Sequence, residues 1–246
     1  MSIASIALLA ALYTTASFVQ GLTGFAYGLI LVPVLSLLFT TPAQAVGMTA
    51  VSALFQITYN YLLHREHVEY RRMTLLAAVA IVCIPIGAVA LYSLPEDAVL
   101  AVLGLVVIGL TAGSMVIASG ARAVLGRRGV ALGFTAVSGV VAGAFSTPGP
   151  IIVGYLYATD ENRMRAKANA QFFYVLVTGI IIAAHAVGGG VNRMTLLYSL
   201  PFAPFVLLGT KLGAVLSKRL PVATFRTVTD VFLIGMGLYL FLGGFF

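Results

Sequence analysis

The sequence predicts an all-α, polytopic membrane protein of two inverted five-segment repeats, with broken or re-entrant helices at the start of each repeat. Hydrophobic residues make up 61% of the 246 residues and charged residues only 9%, whereas a soluble domain carries roughly 25% charged residues. Roughly 20 apolar residues cross a hydrocarbon core of about 30 Å. The chain therefore has room for about eight to ten segments and for no separate soluble domain.

Apolar runs bounded by charged residues, Pro or Gly clusters define the segments. They are 3–20, 25–39, 45–63, 73–93, 97–119, 128–146, 149–158, 168–187, 194–216 and 222–244. The segments 25–39 and 149–158 are short for a full crossing. No Lys or Arg precedes the first apolar run, which argues against a cleaved secretory signal.

An internal repeat emerges when the chain is shifted by 121 residues. Arg72-Met73-Thr74-Leu75-Leu76 then falls on Arg193-Met194-Thr195-Leu196-Leu197, and Gly28 falls on Gly149. A shift of 126 residues places Gly87-Ala88-Val89 on Gly213-Ala214-Val215. We therefore predict one repeat over residues 1–121 and a second over residues 122–246.

Loop charges indicate that the two repeats are inverted. The basic loops carry Arg65, Arg71 and Arg72; Arg122, Arg127 and Arg128; Arg163, Arg165 and Lys167; and Lys218, Arg219 and Arg226. Loops 40–44 and 94–96 carry no Lys or Arg, and loop 188–193 carries only Arg193. Basic loops favour the cytoplasm, so both termini are expected outside. Basic cytoplasmic loops also account for the net charge of +7, so this charge does not indicate that the protein binds nucleic acid.

Gly-rich breaks interrupt the first segment of each repeat, at 21–28 and at 142–150. In inverted-repeat transporters, discontinuous helices aim backbone N–H groups at anionic substrates. We therefore predict an anion site. Its candidates at the two breaks are Gln20, Thr23, Gly24, Tyr27, Gly28, Ser146, Thr147 and Gly149.

Two questions about these breaks stay open. The pairs Gly24 and Gly28, Gly139 and Gly143, and Gly209 and Gly213 also suit close packing between membrane helices. In addition, loop charge cannot tell two crossings from a re-entrant hairpin, because both leave every loop on the same side.

A polar stripe runs along segment 45–63 at helical spacing. It consists of Thr49, Ser52, Gln56 and Asn60. Polar side chains facing lipid are costly, so the stripe should face the bundle interior. It either lines the pathway, with Asn169 and Gln171 as partners, or forms hydrogen bonds between helices.

Few other residues suggest chemistry. Lys211 and Asp230 are the charges expected inside the membrane; they form a structural pair, or Lys211 binds substrate. His64 and His185 lie at segment ends, where we expect interfacial imidazoles. Cys83 is the single cysteine. We expect no metal, no other cofactor and no enzymatic activity, since no catalytic or nucleotide-binding motif is present.

The stretch GLTGFAYGLILVP at 21–33, the run AVGMTA at 45–50 and the equivalent second-half segments resemble the sulfite exporter TauE/SafE family, also called the toluene sulfonate uptake permease family. Gly21, Gly24, Gly28 and Pro33 match its first motif. This chain has Phe25-Ala26-Tyr27 where a run of glycines is commoner. The second copy departs further, with Ser146-Thr147-Pro148 between Gly143 and Gly149, and with Gly154 in place of the proline.

The resemblance implies transport of small sulfur-containing anions, such as sulfite or short organosulfonates, across the bacterial inner membrane. We expect a secondary transporter, an exporter, with alternating access between the repeats. A passive anion channel and a structural subunit of a membrane complex are the alternatives. The expected partners are the small anion and membrane lipid, with no nucleic acid; the sequence is also compatible with a homo-oligomer.

Overall fold

The computed structural model describes residues 3–117, 128–160, 162–217 and 222–243, and these form α-helices and short 3-10 turns without any strand. The helices are α1 Ile3–Thr23, α2 Tyr27–Leu38, α3 Pro42–His64, α4 Tyr70–Ser93, α5 Glu96–Ile117, α6 Arg128–Phe145, α7 Gly149–Thr159, α8 Arg163–Val187, α9 Arg193–Leu197, α10 Ala203–Leu216 and α11 Val222–Gly243. Turns occupy Arg65–His67 and Leu200–Phe202. The all-α prediction is confirmed.

Several helices have the length and composition of membrane spans. Within the described ranges, five stretches qualify: Ile3–Thr23, Tyr70–Ser93, Glu96–Gly113, Met164–Val187 and Arg193–Leu216. Tyr27–Leu38, Gly129–Phe145 and Thr229–Gly243 are apolar but shorter. These helices fit a multi-pass membrane protein.

Some predicted elements differ or fall outside this description. The predicted segment 194–216 is divided, because α9 ends at Leu197 and α10 begins at Ala203. Pro201 lies in the intervening turn, where it has no N–H to donate to a helix. The basic residues Arg122, Arg127, Lys218 and Arg219, and the predicted boundary between residues 121 and 122, lie outside the described residues.

The non-helical segment at the first break is shorter than predicted. Helix α1 continues through Gly21 to Thr23, and α2 begins at Tyr27. Gly24 and Ala26 have φ values of 84° and 88°, in the left-handed region that glycine tolerates and other residues seldom adopt. At the second break, between α6 and α7, Ser146 has a φ of 51°.

Long helices pack across the two halves of the chain. Helix α1 packs mainly on α10, and α4 on α6; α5 pairs with α11, and α3 with α8. A Cβ at Gly139 would lie 2.5 Å from the carbonyl oxygen of Ala80, and one at Gly21 would lie 2.6 Å from that of Thr210. Small residues therefore let these backbones approach closely.

The same contacts settle the packing alternative for two glycine pairs. Gly139 and Gly143 lie against α4, while Gly209 and Gly213 lie against α1. In both cases an added Cβ would collide with backbone atoms of the neighbouring helix. These glycines serve helix packing, as the alternative interpretation predicted.

Candidate functional site

The two helix breaks meet each other inside the bundle. A Cβ at Gly28 would lie 2.5 Å from the carbonyl oxygen of Ser146 and 2.7 Å from Cγ2 of Thr147. Conversely, a Cβ at Gly149 would lie 3.1 Å from Cβ of Phe25. Each short helix thus begins directly against the break of the other half.

A cavity of about 30 Å³ lies where the breaks meet. Six predicted site residues line it: Gln20, Tyr27, Gly28, Ser146, Thr147 and Gly149. The other lining residues are Phe25, Ala26, Leu29, Ala53, Ile57, Pro148, Tyr174 and Thr178. The structure therefore brings about half of the predicted site residues to one cavity.

Sequence reasoning missed the cavity walls on α3 and α8, although a signal for them existed. Ala53 and Ile57 are one helical turn apart on α3, and Tyr174 and Thr178 are one turn apart on α8. The 121-residue shift that relates Gly28 to Gly149 also places Ala53 on Tyr174 and Ile57 on Thr178. Extending the repeat from the breaks to the following helix would have found them.

The polar groups at the first break are mostly bonded within the first half. The Gln20 side-chain oxygen accepts a hydrogen bond from the Tyr27 N–H at 3.2 Å. The Thr23 hydroxyl lies 2.7 Å from the Phe25 carbonyl oxygen, so Thr23 and Gly24 shape the turn rather than line the cavity. The Tyr27 hydroxyl donates to Ser52 at 2.9 Å.

The second break leaves a polar group unpaired. The Thr147 hydroxyl is buried without a hydrogen-bond partner, and Thr147 is only 3% exposed. The N-cap residues of the adjacent helices, Ala26 of α2 and Pro148 of α7, supply no side-chain cap. The first-turn N–H groups of a helix have no acceptor within that helix, so Gly28 and Gly149 present such donors at the cavity.

The predicted polar stripe does face the bundle interior. Thr49, Ser52, Gln56 and Asn60 are all buried, but none lines the cavity. Gln56 accepts a hydrogen bond from the Thr210 hydroxyl of α10 at 3.2 Å, and Ser52 accepts one from Tyr27 of α2. For Ser52 and Gln56, the geometry is that of hydrogen bonding between helices.

Asn169 and Gln171 lie away from the cavity. Asn169 accepts a hydrogen bond from the Glu69 N–H at 2.8 Å and donates one to Asp160 at 3.2 Å. Gln171 is buried, and its side-chain oxygen has no hydrogen-bond partner.

Asn169 belongs to an ionic network that the sequence did not reveal, which we call the Arg72 cluster: Glu69, Arg72, Asp160, Arg165 and Asn169. Arg72 pairs with Asp160 at 2.7 Å and with Glu69 at 3.3 Å, and Arg165 pairs with Glu69 at 3.0 Å. Arg72 also donates to the hydroxyls of Thr159 and Tyr155. The sequence signal for this cluster was Asp160, an acidic residue just before the basic residues Arg163, Arg165 and Lys167. The cluster joins the start of α4 to the end of α7.

Lys211 lies outside the cavity. Its side chain is exposed, and its ammonium lies 5.4 Å from the centre of the Tyr59 ring. Asp230 is buried, and among the described ion pairs none joins it to Lys211. The substrate-binding role of Lys211 stays a prediction.

His185 differs from the expected interfacial imidazole, because it is fully buried. Its ring nitrogens contact the Tyr92 hydroxyl and the Gly143 carbonyl oxygen. Burial follows from the long-range contacts of α8 with α4 and α6, which its position near a segment end did not reveal.

Comparison with known proteins gives one match that covers nearly the whole chain. The family model described as "Sulfite exporter TauE/SafE" matches residues 8–240. Neither the comparison with curated proteins nor that with solved structures finds a match.

Proposed function

The chain belongs to the sulfite exporter TauE/SafE family, which is a transporter family, and we propose that it is a secondary carrier exporting small sulfur-containing anions such as sulfite or short organosulfonates. The anion binds at the cavity between the two breaks. The observation that carries this assignment is the meeting of two helix starts beside the unpartnered Thr147 hydroxyl, where Pro148 supplies no side-chain cap for α7.

The cavity chemistry suits an oxyanion. Free N–H groups and the positive end of the helix dipole stabilise negative charge at a helix N-terminus. The Thr147 hydroxyl adds a donor, and an unpaired buried hydroxyl is unfavourable until a ligand accepts its hydrogen bond. Sulfite and sulfonate oxygens are strong acceptors of this kind. Apolar walls from Ala53 and Ile57 suit the short organic part of a sulfonate.

The small size of the cavity supports a carrier rather than a permanently open pore. About 30 Å³ between the breaks is accessible to the centre of a water molecule. In a carrier, alternating access would open this space to one side of the membrane at a time.

The packing pattern supports two inverted repeats, 1–121 and 122–246. Under exchange of the halves, the contact of α1 with α10 corresponds to that of α6 with α4, and that of α2 with α3 to that of α7 with α8. Helices α3 and α8, and α5 and α11, pair with their own counterparts. The equivalence of the cavity walls under the 121-residue shift is a second support.

We further propose that α1 with α2, and α6 with α7, form re-entrant hairpins entering from opposite faces of a bacterial inner membrane. In support, each second arm is short, and the two tips meet at Gly28 and Ser146. The loop charges support an orientation with both termini outside. In this orientation the Arg72 cluster lies at the cytoplasmic face. It blocks the passage from the cavity to the cytoplasm between α4 and α7, so its ion pairs would have to break during transport.

Flux measurements in liposomes test the proposed function. Purified protein should produce saturable efflux and exchange of labelled sulfite or ethanesulfonate, with no flux in protein-free liposomes. Chloride and acetate serve as competing anions. Non-saturating flux at rates far above those of carriers would favour a channel, and absence of flux under any gradient would overturn the assignment.

A further inference from the structure

His185 connects three parts of the structure near the second break. Its Nε2 lies 2.8 Å from the Gly143 carbonyl oxygen in the last turn of α6. Its Nδ1 lies 2.9 Å from the hydroxyl of Tyr92 on α4. That hydroxyl also accepts a hydrogen bond from the Gly190 N–H at 3.1 Å. The imidazole is fully buried, so its charge state matters to everything it contacts.

The contacts accommodate both charge states of the imidazole. A carbonyl oxygen only accepts, so Nε2 carries a proton in either state. In the neutral form Nδ1 accepts from the Tyr92 hydroxyl. In the charged form Nδ1 donates to the Tyr92 oxygen, and the Tyr92 proton turns to the His185 carbonyl oxygen, 3.5 Å away. No hydrogen bond must be abandoned when a proton binds.

The position of this site links it to the cavity. Gly143 lies at the end of α6, where carbonyl groups lack helical partners and carry partial negative charge. An imidazolium at this end is favourable. Ser146 and Thr147 follow within about one helical turn and line the cavity. Along α8, His185 lies seven residues beyond the cavity-lining Thr178, which is about 10 Å. A positive charge at that distance, away from bulk water, still attracts an anion.

We infer that His185 is a proton-binding site whose protonation strengthens anion binding in the cavity, which rests on the function proposed above. By linkage, the bound anion strengthens proton binding by the same factor. The pH on the side from which the anion binds would therefore set the affinity of the carrier for that anion. The chemical step is only the addition of a proton to Nδ1 and its later release.

Other ionisable groups on the surrounding helices lie elsewhere. In the described structure Tyr92 is the ionisable side chain recorded in contact with His185. The elements packed on α8 are α3, α4, α6, α7 and the turn at Arg65–His67. Their remaining ionisable residues are Tyr59, Tyr61, His64, Arg65, Glu66, His67, Tyr70, Arg71, Arg72, Cys83, Arg128, Tyr155 and Tyr157. Most of them belong to the helix ends near the Arg72 cluster.

Binding measurements across pH test the inference. Ethanesulfonate is the probe, because its sulfonate stays ionised throughout, whereas sulfite itself titrates. Wild-type affinity should fall about fivefold or more as the pH rises from about 4.5 to about 8.5, and fivefold is the lower end of ordinary coupling. His185→Gln keeps an N–H for Gly143 and an oxygen for Tyr92 but cannot become charged. Its affinity should be independent of pH.

Protonation is measured directly in a His64→Gln, His67→Gln background, which leaves His185 as the sole histidine. The NMR signal of its labelled imidazole should titrate, and ethanesulfonate should move the midpoint upward. If His185→Gln is not stable, Tyr92→Phe replaces it: loss of the hydroxyl should displace the midpoint of the pH dependence.

Three outcomes would overturn the inference: pH-independent binding by the wild type, unchanged pH dependence in His185→Gln, or an imidazole that does not respond to the anion. In these cases sulfonate binding itself persists. If the wild type binds no sulfur anion at any pH, the proposed function fails together with the inference.

Discussion

The two helix breaks occupy equivalent positions but differ in how their polar groups are satisfied. At residues 24–26, Gln20 caps the Tyr27 N–H and Thr23 holds the Phe25 carbonyl. At residues 146–148, Ser138 donates to the Pro148 carbonyl, but the Thr147 hydroxyl stays unpaired. The polar groups of the first break are bonded within the first half of the chain, whereas the second break keeps one unpaired donor. On the function proposed above, that donor makes the second break the one that binds the ligand.

Alanine at the two helix starts should have unequal effects. In Gly28→Ala, the new Cβ meets the Ser146 carbonyl at 2.5 Å, and backbone there cannot yield easily. We expect loss of transport and about 1–3 kcal/mol of stability, as for an overpacked core. In Gly149→Ala, the Cβ meets Phe25 and Tyr174 atoms at 3.1 and 3.2 Å, which can shift.

Thermal unfolding and liposome flux of both variants measure the difference. Gly149→Ala should retain most of its stability and part of its transport. Equal damage from the two substitutions would contradict the unequal contact between the breaks.

Removing the Arg72 side-chain charge should release the end of α7 from the start of α4. Arg72→Met leaves Asp160, whose side chain is only 6% exposed, without its closest cation. Because the Arg72 side chain is 30% exposed, solvent screening limits the expected loss to roughly 1–2 kcal/mol. A cysteine introduced at the cavity-lining Ala53, in a Cys83→Ala background, should react faster with a membrane-impermeant thiol reagent applied from the cytoplasmic side.

The double variant Arg72→Met with Asp160→Asn is the control for that loss. It removes the uncompensated carboxylate and should recover much of the stability while cytoplasmic labelling stays high. A double variant that is less stable than the single one would argue against the ion pair as the principal contact.

Replacing Thr147, which carries the unpaired hydroxyl, should lower the affinity for the anion without lowering the stability of the protein. Thr147→Val preserves side-chain shape but removes the donor, so ethanesulfonate affinity should fall about tenfold, or about 1.4 kcal/mol. Stability should stay constant or increase slightly, because a buried unpaired hydroxyl is lost. Binding and thermal unfolding are measured on the same preparation.

Thr135→Val is the matched control on α6. The Thr135 hydroxyl donates to the Ala131 carbonyl at 2.8 Å within its own helix, and it does not line the cavity. This variant should bind ethanesulfonate as the wild type does. Equal loss of affinity in both variants would count against a ligand role for Thr147.

The smallest effect is expected at Lys211. Its exposed ammonium lies over the Tyr59 ring and does not line the cavity. If the anion binds in that cavity, Lys211→Met should leave sulfonate affinity within about twofold of wild type. Complete loss of binding in a folded variant would instead place Lys211 in the substrate pathway and would require a site beyond the two breaks.

Composition and local patterns predicted the helices, both breaks and the inward-facing stripe of Thr49, Ser52, Gln56 and Asn60. These features depend on nearby residues, because apolar length, helical spacing and glycine act over one or two turns. The Arg72–Asp160 pair and the burial of His185 depend on helices far apart in sequence. Local periodicity does not say which helices become neighbours. Charge alone therefore did not reveal the ion pair, and the position near a segment end misplaced His185.

The pairing of α1 with α10 has a consequence for biosynthesis. The helix that α1 packs against is translated almost last, so α1 must wait while most of the chain is inserted. During that interval the Gly21 surface of α1 lacks its native partner on α10. Such late, distant contacts slow folding and prolong exposure to misassembly. Truncation before residue 203 should therefore yield inserted but proteolytically sensitive chains, whatever the helical propensity of the remaining segments.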